Sequence, residues 1–202
     1  MNSDDTPKSG PPPNFADLIG QKATLVIEGI DKPLEITVTG IRIHETLPPD
    51  HPIYALIGRV ASDWAIYEHY LDLCIWTLAS VKQPIGASVT AQIMGAGNRL
   101  VTIRTLAGER GVLDGISDAL KRLEKSTFEP QERRNRVIHD HWSMEVVSKS
   151  IEQHRAKPKK EPVFGYVPVS DDTLKGLIGE ISQLVMQANQ LHQLVGEAMK
   201  SL

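Results

Sequence analysis

Apolar positions follow two different periods along this chain. Between residues 23 and 43 they alternate: Leu25 and Ile27, then Leu34, Ile36 and Val38, then Ile41 and Ile43, separated by Gly29-Ile30-Asp31-Lys32-Pro33 and by Gly40. Alternation with turn residues between the runs predicts a small β-meander. A lone hairpin is marginal in water, so this segment is expected to pack on the helices or on a partner chain. After Pro48-Pro49-Asp50-His51-Pro52 the period turns helical. Ile57, Val60, Trp64, Tyr67, Leu71, Cys74 and Leu78 recur every three or four residues. They predict one helix of about seven turns, with Asp50 as N-cap and Pro52 in the first turn.

Further helices are predicted over residues 89 to about 107 and 113 to 125. Gly95 and Gly97 fall inside the first of these, and Gly108 and Gly111 close it. The segment Ser126-Thr127-Phe128-Glu129-Pro130 is expected to break or kink the second, because the residue before a proline avoids helical backbone angles. A fourth helix then starts near Pro130. Residues 145–169 carry two short β-like runs around the basic tip Ala156-Lys157-Pro158-Lys159-Lys160, which predicts an inserted β-hairpin. Ser170 is placed to cap a last helix, with Asp171 and Asp172 set favourably against its dipole. Its stripe is Leu174, Leu177, Ile181, Leu184, Ala188, Leu191 and Val195. Residues 1–14, with Pro11-Pro12-Pro13, lack the apolar content for a core and are expected to form a disordered tail. The expected division is therefore a tail (1–14), a β-meander appendage (15–48) and a helical domain (49–202) into which the hairpin (145–169) is inserted. The fold class is mainly α, a bundle of four to five helices with two small β additions.

Composition narrows the options further. The chain has 202 residues, 41% hydrophobic and 23% charged, enough for one well-buried core. Its apolar runs are interrupted well before the roughly 20 residues of a membrane span, and Met1-Asn2-Ser3-Asp4-Asp5 is not a signal-peptide start. No membrane association and a cytoplasmic location are expected. The single cysteine, Cys74, cannot form an internal disulfide and lies within an apolar stripe, as a small core residue does. A net charge of −3 excludes coating of nucleic acid by bulk electrostatics, so any RNA contact is local. Two basic clusters qualify: Arg133, Arg134 and Arg136, and then His154, Arg155, Lys157, Lys159 and Lys160. Charge runs like the second more often simply face water.

The candidate chemistry lies in Arg133-Arg134-Asn135-Arg136-Val137-Ile138-His139-Asp140-His141-Trp142. At about 100° per residue, Asn135, His139 and Trp142 project within about 60° of one another, with Phe128 and Ile138 on the same side. His139 is thereby expected on the inward face, with Arg134 at the edge of that face. An inward histidine alone is more often a hydrogen-bonded core residue. Arg, Asn and His together on a buried edge each need a polar partner, which favours function. RNA carries its own nucleophile, the 2′-hydroxyl. Its cleavage needs an acid/base group, which His139 supplies, and a fixed positive charge, which Arg134 supplies through bidentate bonds to phosphate. Asn135 can donate to a phosphate oxygen or fix the imidazole.

The spacing Arg134-Asn135-x-x-x-His139 resembles the Arg-polar-x-x-x-His signature of HEPN domains, all-helical modules that include metal-independent RNA endonucleases. Trp64-Ala65-Ile66-Tyr67-Glu68 in a long early helix is similar to the aromatic-and-acidic first helix of bacterial HEPN proteins. Trp142 and the final amphipathic helix also fit. The resemblance implies a HEPN-like bundle and a homodimer whose composite site joins the two motif helices. It implies Arg134, Asn135 and His139 as catalytic residues, and Glu68 facing the motif arginine. It implies RNA as substrate, no cofactor or metal, and a role in defence, toxin or stress response, with an antitoxin or regulatory protein as a further partner. Where some HEPN toxins carry a modifiable tyrosine two residues after the histidine, this chain has His141, which can assist phosphate binding or pair with Asp140. The alternative implied function is a non-catalytic HEPN dimer that binds RNA, a nucleotide or another protein. A metal hydrolase built on His139, Asp140 and His141 is disfavoured, because adjacent and i+2 positions on a helix diverge too far to chelate one ion.

Overall fold

In a computed structural model of the chain, the helical stripes fold into five helices: α1 (Ile53–Ala79), α2 (Gln83–Thr90), α3 (Gly95–Glu109), α4 (Leu113–His139) and α5 (Asp171–Lys200). The structure describes residues 22–25, 34–37, 42–157 and 163–202. The protein is mainly helical with a small antiparallel sheet. The expected tail, the strand positions Ile27, Val38 and Ile41, and the basic residues Lys159 and Lys160 lie outside the described residues. No helix among the described residues is long and apolar enough to cross a membrane.

The chain divides into two compact units, residues 1–45 with 145–149, and residues 46–144 with 150–202. In the smaller unit, β1 (Lys22–Leu25) and β2 (Leu34–Thr37) pair antiparallel with Lys22 opposite Thr37 as a two-stranded sheet. Among the described residues the third limb expected at Ile43 does not join them, so the segment is a hairpin rather than a meander. The same unit contains a tight turn at residues 145–149. Lys149 adopts a left-handed backbone (φ 56°) and returns its N–H to the Glu145 carbonyl at 2.9 Å. The Glu145 carboxylate accepts the backbone N–H groups of Val147 and Ser148. These bonds, led by the Ser148 hydroxyl and helped by His44, hold its pKa down at about 2.

The larger unit contains all five helices. The buried faces of α1 and α5 are those read from the sequence: Val60, Trp64, Tyr67, Leu71, Cys74 and Leu78 on one, and Leu174, Leu177, Ile181, Leu184, Ala188, Leu191 and Val195 on the other. Burial raises the Cys74 thiol to about 12, so it stays protonated as a core residue. Ser170 caps α5 through its hydroxyl, which accepts the Thr173 N–H at 3.3 Å. The start of α1 differs from expectation. Pro52 holds the N-cap position, and the His51 imidazole Nδ1, rather than Asp50, accepts the Ile53 N–H at 3.2 Å.

Two helix boundaries also differ. The predicted helix over residues 89–107 is two helices, α2 and α3, separated before Gly95, whose φ of 74° suits glycine alone. Conversely, the predicted break at residues 126–130 does not occur, and α4 runs through Pro130 without interruption. The residues before the proline are tethered from both sides. Thr127 bonds the Leu123 carbonyl (2.7 Å) and Tyr67 Oη of α1 (2.6 Å), while Ser126 bonds the Arg122 carbonyl (2.6 Å) and Gln187 of α5 (3.1 Å). Packing on two neighbours therefore outweighs the backbone preference at this point.

Helix α4 ends at His139 and the chain turns directly into β4 (His141–Glu145), which is followed by β5 (Ile151–Lys157) and β6 (Val163–Pro168). The order within the sheet is β3-β4-β5-β6, with β3 at His44–Thr46. The expected two-stranded insertion is thus a meander that begins four residues earlier, and Trp142 and His141 are strand residues rather than a continuation of the motif helix. Trp142 is buried, and its indole N–H donates to the Val137 carbonyl at 3.0 Å, which ties β4 back onto α4.

Two expected outcomes follow. A Cβ on Gly86 of α2 would lie 2.5 Å from Cγ of the buried Trp76 ring. Gly86→Ala is therefore expected to destabilise the protein by about 1–3 kcal/mol, read as a lower urea midpoint. Glu145 has its folded pKa lowered to about 2 from 4.5, so it contributes stability that is present above pH 4.5 and lost as pH falls through about 2. Glu145→Gln is expected to narrow the stability difference between neutral and acid pH, and equal pH profiles for the two proteins would contradict this.

Candidate functional site

The last three turns of α4 present different residues to different surroundings. On one side Arg134 leans back onto α1. Its guanidinium carbon lies 5.8 Å from the centre of the buried Trp64 ring, a cation–π distance, and its Nε is buried without a hydrogen-bond partner. Its Nη1 reaches around the helix to donate to Asn135 Oδ1 at 3.1 Å. That bond engages the amide oxygen, while the Nδ2 of the exposed Asn135 makes no hydrogen bond among the described residues.

The opposite side is open. Glu132, Asn135, Arg136, His139 and Asp140 line a cleft of about 290 Å³ along the exposed face of the helix. Asn135 and His139 are both exposed, which corrects the inward placement expected for His139. The angular reading correctly grouped Asn135, His139 and Phe128, but the group faces outward: Phe128 is 71% exposed. The inward face of this segment belongs to Thr127, Pro130 and Val137 instead. A run whose charged residues outnumber its apolar ones has no strong stripe to identify its buried side, which explains the inversion.

The structure therefore brings Asn135 and His139 together, adds Arg136, and attaches Arg134 only through Asn135. Glu68 is elsewhere. It lies 3.7 Å from Arg99 of α3, which is held more closely by Asp72 (2.8 Å) and by the Ile93 carbonyl (2.7 Å). Glu68 and Asp72 are one helical turn apart and jointly take the α3 cation, so the expected pairing of Glu68 with the motif arginine is replaced by one with Arg99. His141 is exposed on β4, opposite His154 of β5, whose ring packs at 5.1 Å from Tyr166. Among the described residues no group of three or more His, Cys, Asp or Glu is placed to hold a metal ion.

The basic residues sort in a way the sequence spacing did not suggest. Arg133 and Arg136 of α4 meet Arg155 of β5 around a second, smaller cleft, although the two clusters lie some twenty residues apart in sequence. Arg133 is neutralised there, its Nη1 bonding both oxygens of Glu180 at 2.7 Å. Lys157 is in β5, opposite Val163. Arg136 lines both clefts and is the residue shared between them.

No protein-family model, no curated protein and no solved structure matches this chain. The functional reading rests on the geometry alone and on the motif.

The different environments of Arg134 and His139 predict different costs of removal. Arg134→Ala strips a packed guanidinium from Trp64 and is expected to cost about 1 kcal/mol. His139→Ala, at an exposed position, is expected to stay within about 0.5 kcal/mol of wild type. Urea unfolding of the two variants checks both values.

Proposed function

We propose that the protein is a metal-independent endoribonuclease of HEPN type, with His139 as its proton-transfer residue. The observation that carries this reading is the open cleft on α4 in which an exposed imidazole, an exposed amide and an arginine lie together. A phosphodiester laid along this face meets donors from Asn135 and Arg136, and the imidazole within the same cleft. His139 takes the proton from the 2′-hydroxyl, O2′ bonds to phosphorus, and the 5′-oxygen leaves with a proton. The products are a 2′,3′-cyclic phosphate and a 5′-hydroxyl, with no cofactor needed for atoms or charge to balance. Arg136 stabilises the charge gathering on the phosphorus oxygens. Arg134 acts as a positioning residue, holding the Asn135 amide by its oxygen.

One imidazole rarely serves as both base and acid in a single turnover. A second copy of the chain, bringing its own α4 against this face, supplies the second. The exposed Phe128, on the same face as His139 and three helical turns away, offers an apolar anchor for that association. The alternative is a dimer that binds RNA, nucleotide or another protein without cleaving; Glu132 and Asp140 place two carboxylates beside the imidazole, where they oppose any phosphate, and so favour the protein-binding form of it.

The deciding experiment incubates wild type and His139→Ala with mixed RNA in EDTA and identifies the product ends. Cleavage by wild type leaving cyclic phosphates, lowered about 100-fold or more in the variant, is the expected result. RNA left intact by a folded wild-type dimer supports the binding alternative, and equal cleavage by both proteins removes His139 from the mechanism.

A further inference from the structure

We infer that the smaller cleft, between α4, β5 and the first turn of α5, is a binding site for a phosphoryl group. Its lining has three parts. Arg136 and Arg155 provide cations, Val137, Val169, Leu174 and Leu177 provide an apolar floor, and Gln153 and Thr173 provide polar groups. The deciding residue is Gln153. It is only 2% exposed, yet its Nε2 has no hydrogen-bond partner. Its Oε1 is occupied by Arg155, whose Nε and Nη2 both approach at 3.4 Å, so the unpartnered group is a donor. A buried amide N–H left unpaired costs about 1–3 kcal/mol, and sites of this kind are commonly completed by a ligand or an ordered water.

The other groups select the ligand's charge. No carboxylate lines this cleft. The guanidinium of Arg136 makes no hydrogen bond or ion pair among the described residues, while Glu180 draws off only Arg133. The first turn of α5 adds Thr173 and Leu174 to the rim, but the Thr173 N–H is taken by the Ser170 hydroxyl and Asp171 and Asp172 lie in the same turn, so the positive charge comes from the arginines and not from the helix end. Among the lining residues every charged group is an arginine, and the unpartnered buried atom is a donor, a combination that suits an anion. The volume is about 40 Å³, roughly three water-sized positions at ~10–15 Å³ each. That is the scale of a small oxyanion rather than of a fully enclosed nucleobase. The planar guanidinium forks match the oxygens of a phosphoryl group, whether it is a free or terminal phosphate or one in an RNA backbone.

Arg136 lines both clefts, but Gln153 and Arg155 do not line the His139 cleft, so the site is tested separately from the cleavage reading through those two residues. Thermal unfolding in millimolar inorganic phosphate, against sodium chloride of matched ionic strength, tests it. Wild type is expected to show a saturable rise in Tm, with the half-saturating concentration raised about tenfold or more in Arg155→Gln. Gln153→Leu removes the unpaired donor together with the weak acceptor of Arg155, and is expected to stay folded and to lose the phosphate response. His139→Ala is expected to keep that response, which separates this site from the catalytic proposal. AMP against adenosine, and a short oligoribonucleotide lacking terminal phosphates, then assign the source: a response to AMP alone marks a terminal phosphate, and a response to the oligoribonucleotide marks the backbone. An absent or non-saturating response in wild type, an undiminished one in Gln153→Leu and Arg155→Gln, or an equal response to adenosine overturns the inference.

Discussion

Burial of α1 is the constraint on which the remainder of the larger unit depends. Its stripe places Trp64, Tyr67, Leu71, Cys74 and Leu78 at 2% exposure or less over four turns. Covering such a helix requires partners on several sides, and α1 packs against α2, α3, α4 and α5 in turn. Trp64 and Tyr67 meet edge to face at 5.1 Å. Each large aromatic buried in this way contributes on the order of 2–3 kcal/mol by transfer alone, so apolar burial sets the positions and polar groups adjust to it.

The polar ties around α1 then fix rotation. Tyr67 is fully buried, and burial holds its phenol well above the usual pKa, so it is a neutral hydroxyl that requires a hydrogen-bond partner. It finds Thr127 at 2.6 Å, whose own hydroxyl bonds within α4. With Thr127 directed at α1 and Pro130 and Val137 following it on the inward face, Phe128, Asn135 and His139 are turned to solvent. Arg134, between the two faces, extends along the Trp64 ring. One buried hydroxyl pair thus sets which motif residues are accessible.

Most of this architecture was legible where the pattern was strong. The α5 stripe matches the structure residue by residue and the α1 stripe does so except at the partly buried Ile57, because apolar positions at helical spacing leave one solution for the buried face. Residues 126–142 were harder. Pro130 is a local signal for a break, yet Ser126 and Thr127 are bonded to α5 and α1, contacts that no window of sequence contains. The same segment is too charged to display an inward side, so Asn135 and His139 were grouped correctly and faced the wrong way. His141 and Trp142 read as helical because helical phase was extended past the chain's turn into β4. The meeting of Arg136 with Arg155 was hidden for a different reason: it depends on β5 folding back against α4, a tertiary fact.

The charge balance around α4 differs from the net charge of −3 of the whole chain, and it is the local balance that bears on the two proposed phosphate sites. Total charge governs attraction at a distance, and salt screens it within about 10 Å. At shorter range the local sum decides. Beside His139 the one arginine is outnumbered by Glu132 and Asp140, so that cleft carries a formal charge of −1 with the imidazole neutral and is poorly suited to tight anion binding. Across Arg136 the other cleft has two unneutralised guanidinium groups over an apolar floor, where lower polarity strengthens each charge-assisted bond. A bound phosphoryl group there would be held by position and hydrogen bonding rather than by field. Arg136 lines both clefts, so the two proposed sites share one guanidinium, and a phosphate gripping it from one side withdraws it from the other.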